Sequence, residues 1–175
     1  MENFLLTKRS TEVTTLSLQL GYTKTLFNGE DFEVLTASNS KDLISQVQAG
    51  HKQKRFVFYK APSEELLRFA LEKSEVDGVL GVEEIHLKDS LHYVRGGLDP
   101  VLCRFAAARG RKVVFSFNSI LNSPEKAKLL ARMRFNISLC EKFGVLMLFS
   151  NFVFSKEEMR AAKDLQAFWR VLKQK

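Results

Sequence analysis

The sequence predicts an α/β chain built as a small, distorted or incomplete (β/α) barrel of mainly parallel strands. Short apolar runs alternate with amphipathic helical stretches along the whole chain. Several runs, such as Val76 to Val82 and Val145 to Phe149, are almost continuously apolar, as strands covered on both faces are. Roughly six or seven such units fit the length, which suits a TIM-like barrel; an open doubly wound sheet is the alternative.

Each element has a local reason. Phe4-Leu5-Leu6 opens a strand that Lys8-Arg9-Ser10 ends, and Val13, Leu16 and Leu20 then recur at helical spacing up to Gly21. Leu26-Phe27 and Phe32 to Leu35 form two short strands around the Asn28-Gly29 turn. Ser40 to Val47 makes a helix with Leu43, Ile44 and Val47 on one side and Gly50 as its stop. Arg55 to Tyr59 is a strand, and Pro62-Ser63-Glu64 starts a helix that turns Leu66, Leu67, Ala70 and Leu71 inward. Val76 to Val82 is a buried strand. Asp99-Pro100 is a strong helix start, because Asp accepts from free amides and Pro suits the first helical position. That helix runs to Gly110, and Lys112 to Phe117 is the next strand. Ser123-Pro124-Glu125 repeats the device before a long helix to about Phe143, stopped by Gly144. After the strand Val145 to Phe149, two short helical pieces begin near Ser155 and Lys163.

With 175 residues, 45% of them hydrophobic, the chain suits one core, so residues 1–175 are expected to form a single domain. Its 15 Phe against one Trp and three Tyr are expected to be core filler, since Phe has no polar group to satisfy. No apolar stretch is long enough to span a bilayer, and the start, Met1-Glu2-Asn3, does not read as a signal peptide; a soluble, cytoplasmic protein is expected. Cys103 and Cys140, in predicted helices and without CxxC spacing, read as buried thiols.

The charge is uneven. Between Arg95 and Lys142 ten basic residues face only Asp99, Glu125 and Glu141, while the rest of the chain nets zero, so the whole +7 sits in one segment. A polyanion is the natural partner, because phosphate contacts release counterions; a basic face kept for solubility is the alternative.

Catalytic groups of a barrel gather at the C-terminal strand ends, which here offers Lys8, Lys60, Glu83, Ser116, Asn118, Ser150 and Asn151. Hydrolytic metal barrels need several His and carboxylate ligands converging on one ion, yet His51, His86 and His92 are the only histidines and form no metal-binding spacing. Glu83 and Glu84 point apart if the chain is extended there. Gly78-x-x-Gly81 lacks the Lys-Ser/Thr ending of a P-loop. Gly96-Gly97 precedes a capped helix and is read either as a phosphate-binding entry or as a tight turn. His51 to Arg55, HKQKR, reads as a basic loop and nothing more.

The stretch His92-Tyr93-Val94-Arg95-Gly96-Gly97-Leu98-Asp99-Pro100-Val101-Leu102-Cys103-Arg104 resembles the archaeal and eukaryotic ribonuclease P protein component 3 family. Three further pieces follow in the family's order: Phe115-Ser116-Phe117, the helix from Leu129 to Asn136, and Lys142-Phe143-Gly144-Val145. The resemblance covers about residues 76–172, and the first ~55 residues carry no motif of the family. Ser150-Asn151-Phe152-Val153 stands where the family has Ser-Ser-Gly-Ala, and Gly96-Gly97 where it has Ser-Gly. The resemblance implies a TIM-like barrel within an endoribonuclease whose RNA is the catalyst and removes 5′ leaders from precursor tRNA. It implies a chain that is not itself catalytic and binds no cofactor, with magnesium serving the RNA. Implied partners are ribonuclease P RNA, the RRM-like component 2 and other ribonuclease P proteins, with precursor tRNA met indirectly.

The expected RNA face comprises Arg95, Arg104, Arg109, Arg111, Arg132 and Arg134, with Lys112 and Lys128 as outer contributors, because Arg makes bidentate phosphate contacts and rigid helices hold it in place. Arg104 and Arg132 have an alternative as structural ion pairs, Arg109 as a helix-dipole partner, and Tyr93 is either a base stacker or half-buried. Two other function classes stay open: a metal-dependent phosphoesterase-like barrel enzyme and a basic protein-interaction module.

Overall fold

A computed structural model describes residues 1–86, 88–89 and 94–174. Within them the chain runs β1 (Glu2–Leu5), α1 (Thr11–Gln19), β2 (Lys24–Phe27), β3 (Phe32–Leu35), α2 (Ser40–Lys52), β4 (Phe56–Tyr59) and α3 (Glu64–Glu72). It continues through β5 (Gly78–Leu80), α4 (Pro100–Ala108), β6 (Lys112–Ser116), α5 (Phe117–Asn122), α6 (Lys126–Phe143), β7 (Met147–Ser150) and α7 (Ala162–Lys173).

Five helices start at side-chain caps, α5 at Ser116 among them. Ser10 accepts from the Val13 amide, Asn39 from Asp42, Ser63 from Leu66, and Asp99 from both Val101 and Leu102. Each cap satisfies an amide that has no partner within the helix, for about 1 kcal/mol. The expected cap at Ser123 is displaced: its hydroxyl accepts from the Glu125 amide, and the helix starts at Lys126 without a side-chain cap of its own. The sequence reading missed α5, whose cap Ser116 is the last residue of β6. It also made α7 too short.

All strand pairings are parallel. β1 pairs with β2, and β3 to β7 form a five-stranded sheet in chain order. Two seams join the sheets into a ring. At one, Asn28 and Phe32 make a single parallel bridge. At the other, beyond β7, the Phe152 amide donates to the Phe4 carbonyl at 2.8 Å and the Leu6 amide to the Val153 carbonyl at 2.9 Å. β2 steps into β3 without a crossover helix and without the antiparallel ladder that an Asn-Gly turn suggests. Asp31 instead accepts the Phe27 amide at 2.8 Å, and Asn28 accepts the Val34 amide at 3.3 Å. This helix-less step is where the barrel departs from a regular (β/α) repeat.

Side chains alternate in and out along each strand, and this alternation separates two cores. Inside the ring lie Phe4, Leu26, Phe32, Phe58, Leu80 and Val114, from β1 to β6 in turn, with Phe152 from the chain just beyond β7. The four rings pack mostly edge to face; Phe32 and Phe58 are tilted, and Phe152 stacks on Phe4 with centroids 5.5 Å apart. Outside the ring, Val57, Tyr59, Val79, Val113, Phe115 and Phe149 meet helix residues such as Leu43, Leu67, Leu102, Met133, Ile137 and Leu165. Cys103 and Cys140 are buried and not joined as a disulfide. Their thiols hydrogen-bond each other, which together with burial pushes Cys140 up and keeps it protonated.

Candidate nucleic-acid interface

The strand ends that hold catalytic groups in many barrels are tied here to the fold. Ser150 accepts the Phe4 amide at 2.9 Å, and Ser116 accepts the Ser119 amide. Asn151, fully buried, donates to Asn3 and to the Tyr22 hydroxyl, both at 2.8 Å, and accepts the Arg160 amide at 3.2 Å. It thereby fastens the end of β7 to β1, to the turn after α1 and to the approach to α7. Burial pushes the Tyr22 phenol up to about 12, so that hydroxyl stays protonated. Asn118 accepts from Asn122 at 2.6 Å, and Lys60 is paired with Glu84 at 2.5 Å, while Lys8 is exposed. Phe152 takes a left-handed backbone, φ +49°, and its ring fills the barrel axis.

Glu83 and Glu84 do diverge, although on one turn of 3-10 helix rather than an extended chain. Glu84 reaches Lys60. Glu83 is buried, neither carboxyl oxygen has a hydrogen-bond partner among the described residues, and burial pushes it up to about 8. Among the described residues no three His, Cys, Asp or Glu side chains come together as a metal-binding group.

Arg132 corrects an expectation. It is only 4% exposed, its Nε donates to Asp89 at 2.9 Å, and an Nη donates to the carbonyls of Glu83 at 3.0 Å and His86 at 2.6 Å. The Arg95 amide, with Arg132, holds the Asp89 carboxyl below its ordinary range. Arg132 is thus the pin of the segment after β5, and its burial among these acceptors keeps the guanidinium away from any phosphate at the surface. The glycine pair serves the same packing. Asn136 donates to the Gly96 carbonyl at 2.6 Å, and a Cβ on Gly97, at φ +90°, would stand 2.0 Å from the Val82 carbonyl oxygen. Asp99 already occupies two amides at the start of α4, so the tight-turn reading fits the geometry and the phosphate reading does not.

The other predicted RNA-face residues are not on one face. Arg95 is exposed at the C-terminal end of the barrel, beside a cleft that also involves Glu64, Arg68 and Phe135. Lys128, near the same end, pairs with Glu125 at 2.9 Å. Arg104 lies on the flank with its guanidinium 5.6 Å from the Phe143 ring centre, and Arg134 donates to the Gln174 carbonyl at 2.7 Å. Arg109, Arg111 and Lys112 fall at the opposite, N-terminal end of the strands. There Arg109 is exposed, while Arg111 is half-buried and donates to the Ser74 carbonyl at 3.1 Å. His92 and Tyr93, including the stacking role considered for Tyr93, lie outside the described residues.

No family model matches the chain. A curated relative, ribonuclease P protein component 3 of Methanocaldococcus jannaschii, is 28% identical over 140 residues, which is 79% of this chain and 57% of the relative. The chain therefore spans a little over half the length of that protein. A chain of the cryo-EM structure of archaeal ribonuclease P with mature tRNA superposes with a TM-score of 0.83 at 21% identity, covering 99% of this chain and 83% of its own. The barrel is the same in both. The 140-residue match reaches well beyond the stretch 76–172 that carried the motifs. The sequence relative thus supports the family that residues 92–104 resemble, ribonuclease P protein component 3, and the structural neighbour supports its fold.

Proposed function

We propose that this chain is a non-catalytic, RNA-binding subunit of ribonuclease P, supporting the catalytic RNA as it removes 5′ leaders from precursor tRNA. The observation that carries the reading is its likeness to ribonuclease P protein component 3 along 79% of its length. The filled barrel axis and the structural use of Ser116, Ser150 and Asn151 fit a barrel that has given its strand ends to packing. In this reading Arg95, Arg104, Arg109 and Arg134, all exposed, meet phosphates from α4, its two flanks and α6, and recognition follows RNA shape and backbone. Component 2 and other ribonuclease P proteins are its protein partners, and magnesium belongs to the RNA.

The test is precursor-tRNA cleavage by the cognate RNA with component 2, with and without this chain, across magnesium concentrations. Cleavage restored at low magnesium only when the chain is present supports the subunit reading. A folded, monodisperse chain that leaves cleavage unchanged overturns it.

A further inference from the structure

The N-terminal end of the barrel stays open. Stepping back by two residues from the interior positions Phe58, Leu80, Val114 and Leu148 gives Phe56, Gly78, Lys112 and Leu146, the next interior layer. Phe56 and Leu146 are 42% and 56% exposed there. Gly78 has no side chain to separate its neighbours: a Cβ on it would stand 2.7 Å from the Lys112 carbonyl oxygen and 3.1 Å from the Lys112 Cβ. Across that gap Lys112 Nζ lies 5.7 Å from the centre of the Phe56 ring.

Loops distant in sequence meet around this ring. The end of α2 brings Lys52, the α2–β4 loop Lys54 and Arg55, and the α4–β6 loop Arg109 and Arg111. Asp77 ties the loops together: its side chain accepts the Val57 amide at 2.7 Å and faces His51 at 3.1 Å, and its carbonyl accepts the Lys112 amide at 3.0 Å. Arg55 pairs with Glu33 at 3.7 Å, whereas Lys52, Lys54, Arg109 and Lys112 have no ion pair among the described residues. The result is an exposed phenyl ring beside Lys112, at the end of the barrel where Lys52, Lys54 and Arg109 also lie without an ion pair among the described residues.

We propose that this barrel floor binds an unpaired RNA segment, with one base stacked on Phe56 and flanking phosphates held by Lys54, Lys112 and Arg109. The proposal rests on the RNA-binding reading above and names where on the chain single-stranded RNA is held. An open aromatic face accepts any base, and lysines near it follow the backbone. A duplex offers no free base face, so the floor discriminates against it.

The full chain is titrated, by fluorescence anisotropy at several salt concentrations, with a labelled single-stranded adenosine–uridine RNA and with the duplex of the same sequence. Phe56→Leu keeps the apolar bulk and removes the aromatic face. It is expected to weaken single-strand binding about tenfold, with Phe56→Trp restoring it. The double variant Lys54→Ala/Lys112→Ala is expected to flatten the salt dependence by about 1.4 in log–log slope. Unchanged single-strand affinity in Phe56→Leu overturns the proposal, as does a duplex that binds equally well and loses equally. Where the wild type supports cleavage and Phe56→Leu binds the single strand normally, the floor site falls and the subunit reading stands. Where the wild type fails in cleavage, the subunit reading falls, and the floor is judged on the oligonucleotide alone.

Discussion

The two ends of this barrel use aromatic rings and basic residues in opposite ways. At the C-terminal end Phe152 is withdrawn onto the axis, and Arg132 is buried among Asp89 and two carbonyls. At the N-terminal end Phe56 is exposed, and Lys54, Arg109 and Lys112 lie at that end without ion pairs among the described residues. The end that carries chemistry in other barrels is here stabilising structure, and spare charge collects at the end usually left to stability. Mutations of Arg132 and Phe152 should therefore read out as losses of folding, and those of Phe56, Lys54 and Lys112 as losses of binding.

The largest expected effect is at Arg132. Arg132→Ala leaves the Glu83 and His86 carbonyls without the guanidinium and Asp89 with only the Arg95 amide, and is expected to destabilise the fold by about 3–5 kcal/mol. Arg104→Ala, on the exposed flank, should change stability by less than about 0.5 kcal/mol. Urea denaturation of the two variants checks the contrast, and equal midpoints would dissolve it.

Phe152 comes next. Its ring is wholly interior, so Phe152→Ala is expected to cost about 3–5 kcal/mol through the cavity it leaves. Phe152→Gly relieves the left-handed backbone and should recover roughly 1 kcal/mol of that loss. A glycine variant less stable than the alanine one in thermal melting would rule out backbone strain at this position.

Glu83 gives the most condition-dependent effect. Its folded carboxyl keeps the proton up to about 8, against 4.5 for the ordinary group. Between those values the native state binds a proton that the unfolded state has released, so this contribution to stability falls as pH rises and levels off above about 8. The slope approaches 1.4 kcal/mol per pH unit at most. Glu83→Gln should abolish it, which stability measured from pH 5 to 9 would reveal as a flatter curve.

The sequence made the outline of the fold legible because its cues are local. Asp99-Pro100, Ser63 and Gly144 mark helix ends through their own backbone chemistry, and continuous apolar runs imply strands covered on both faces. The two short strands around Asn28-Gly29 were legible from that turn, while the ladders they join depend on β1 and β4 beside them. The fifteen phenylalanines foretold a Phe-rich core, and the barrel axis is where four of them meet.

What the sequence by itself determined was the order of elements, their caps, the parallel α/β class and the segment that holds the excess charge. Only the tertiary structure decided which of those charges remain available. Arg132 and Arg134 are two residues apart on one helix, yet one points into the segment after β5 and the other reaches Gln174. Lys54 and Lys112 are far apart along the chain, yet parallel pairing of β4, β5 and β6 brings their loops to one end. Burial and proximity come from residues distant in sequence, and no local pattern encodes them.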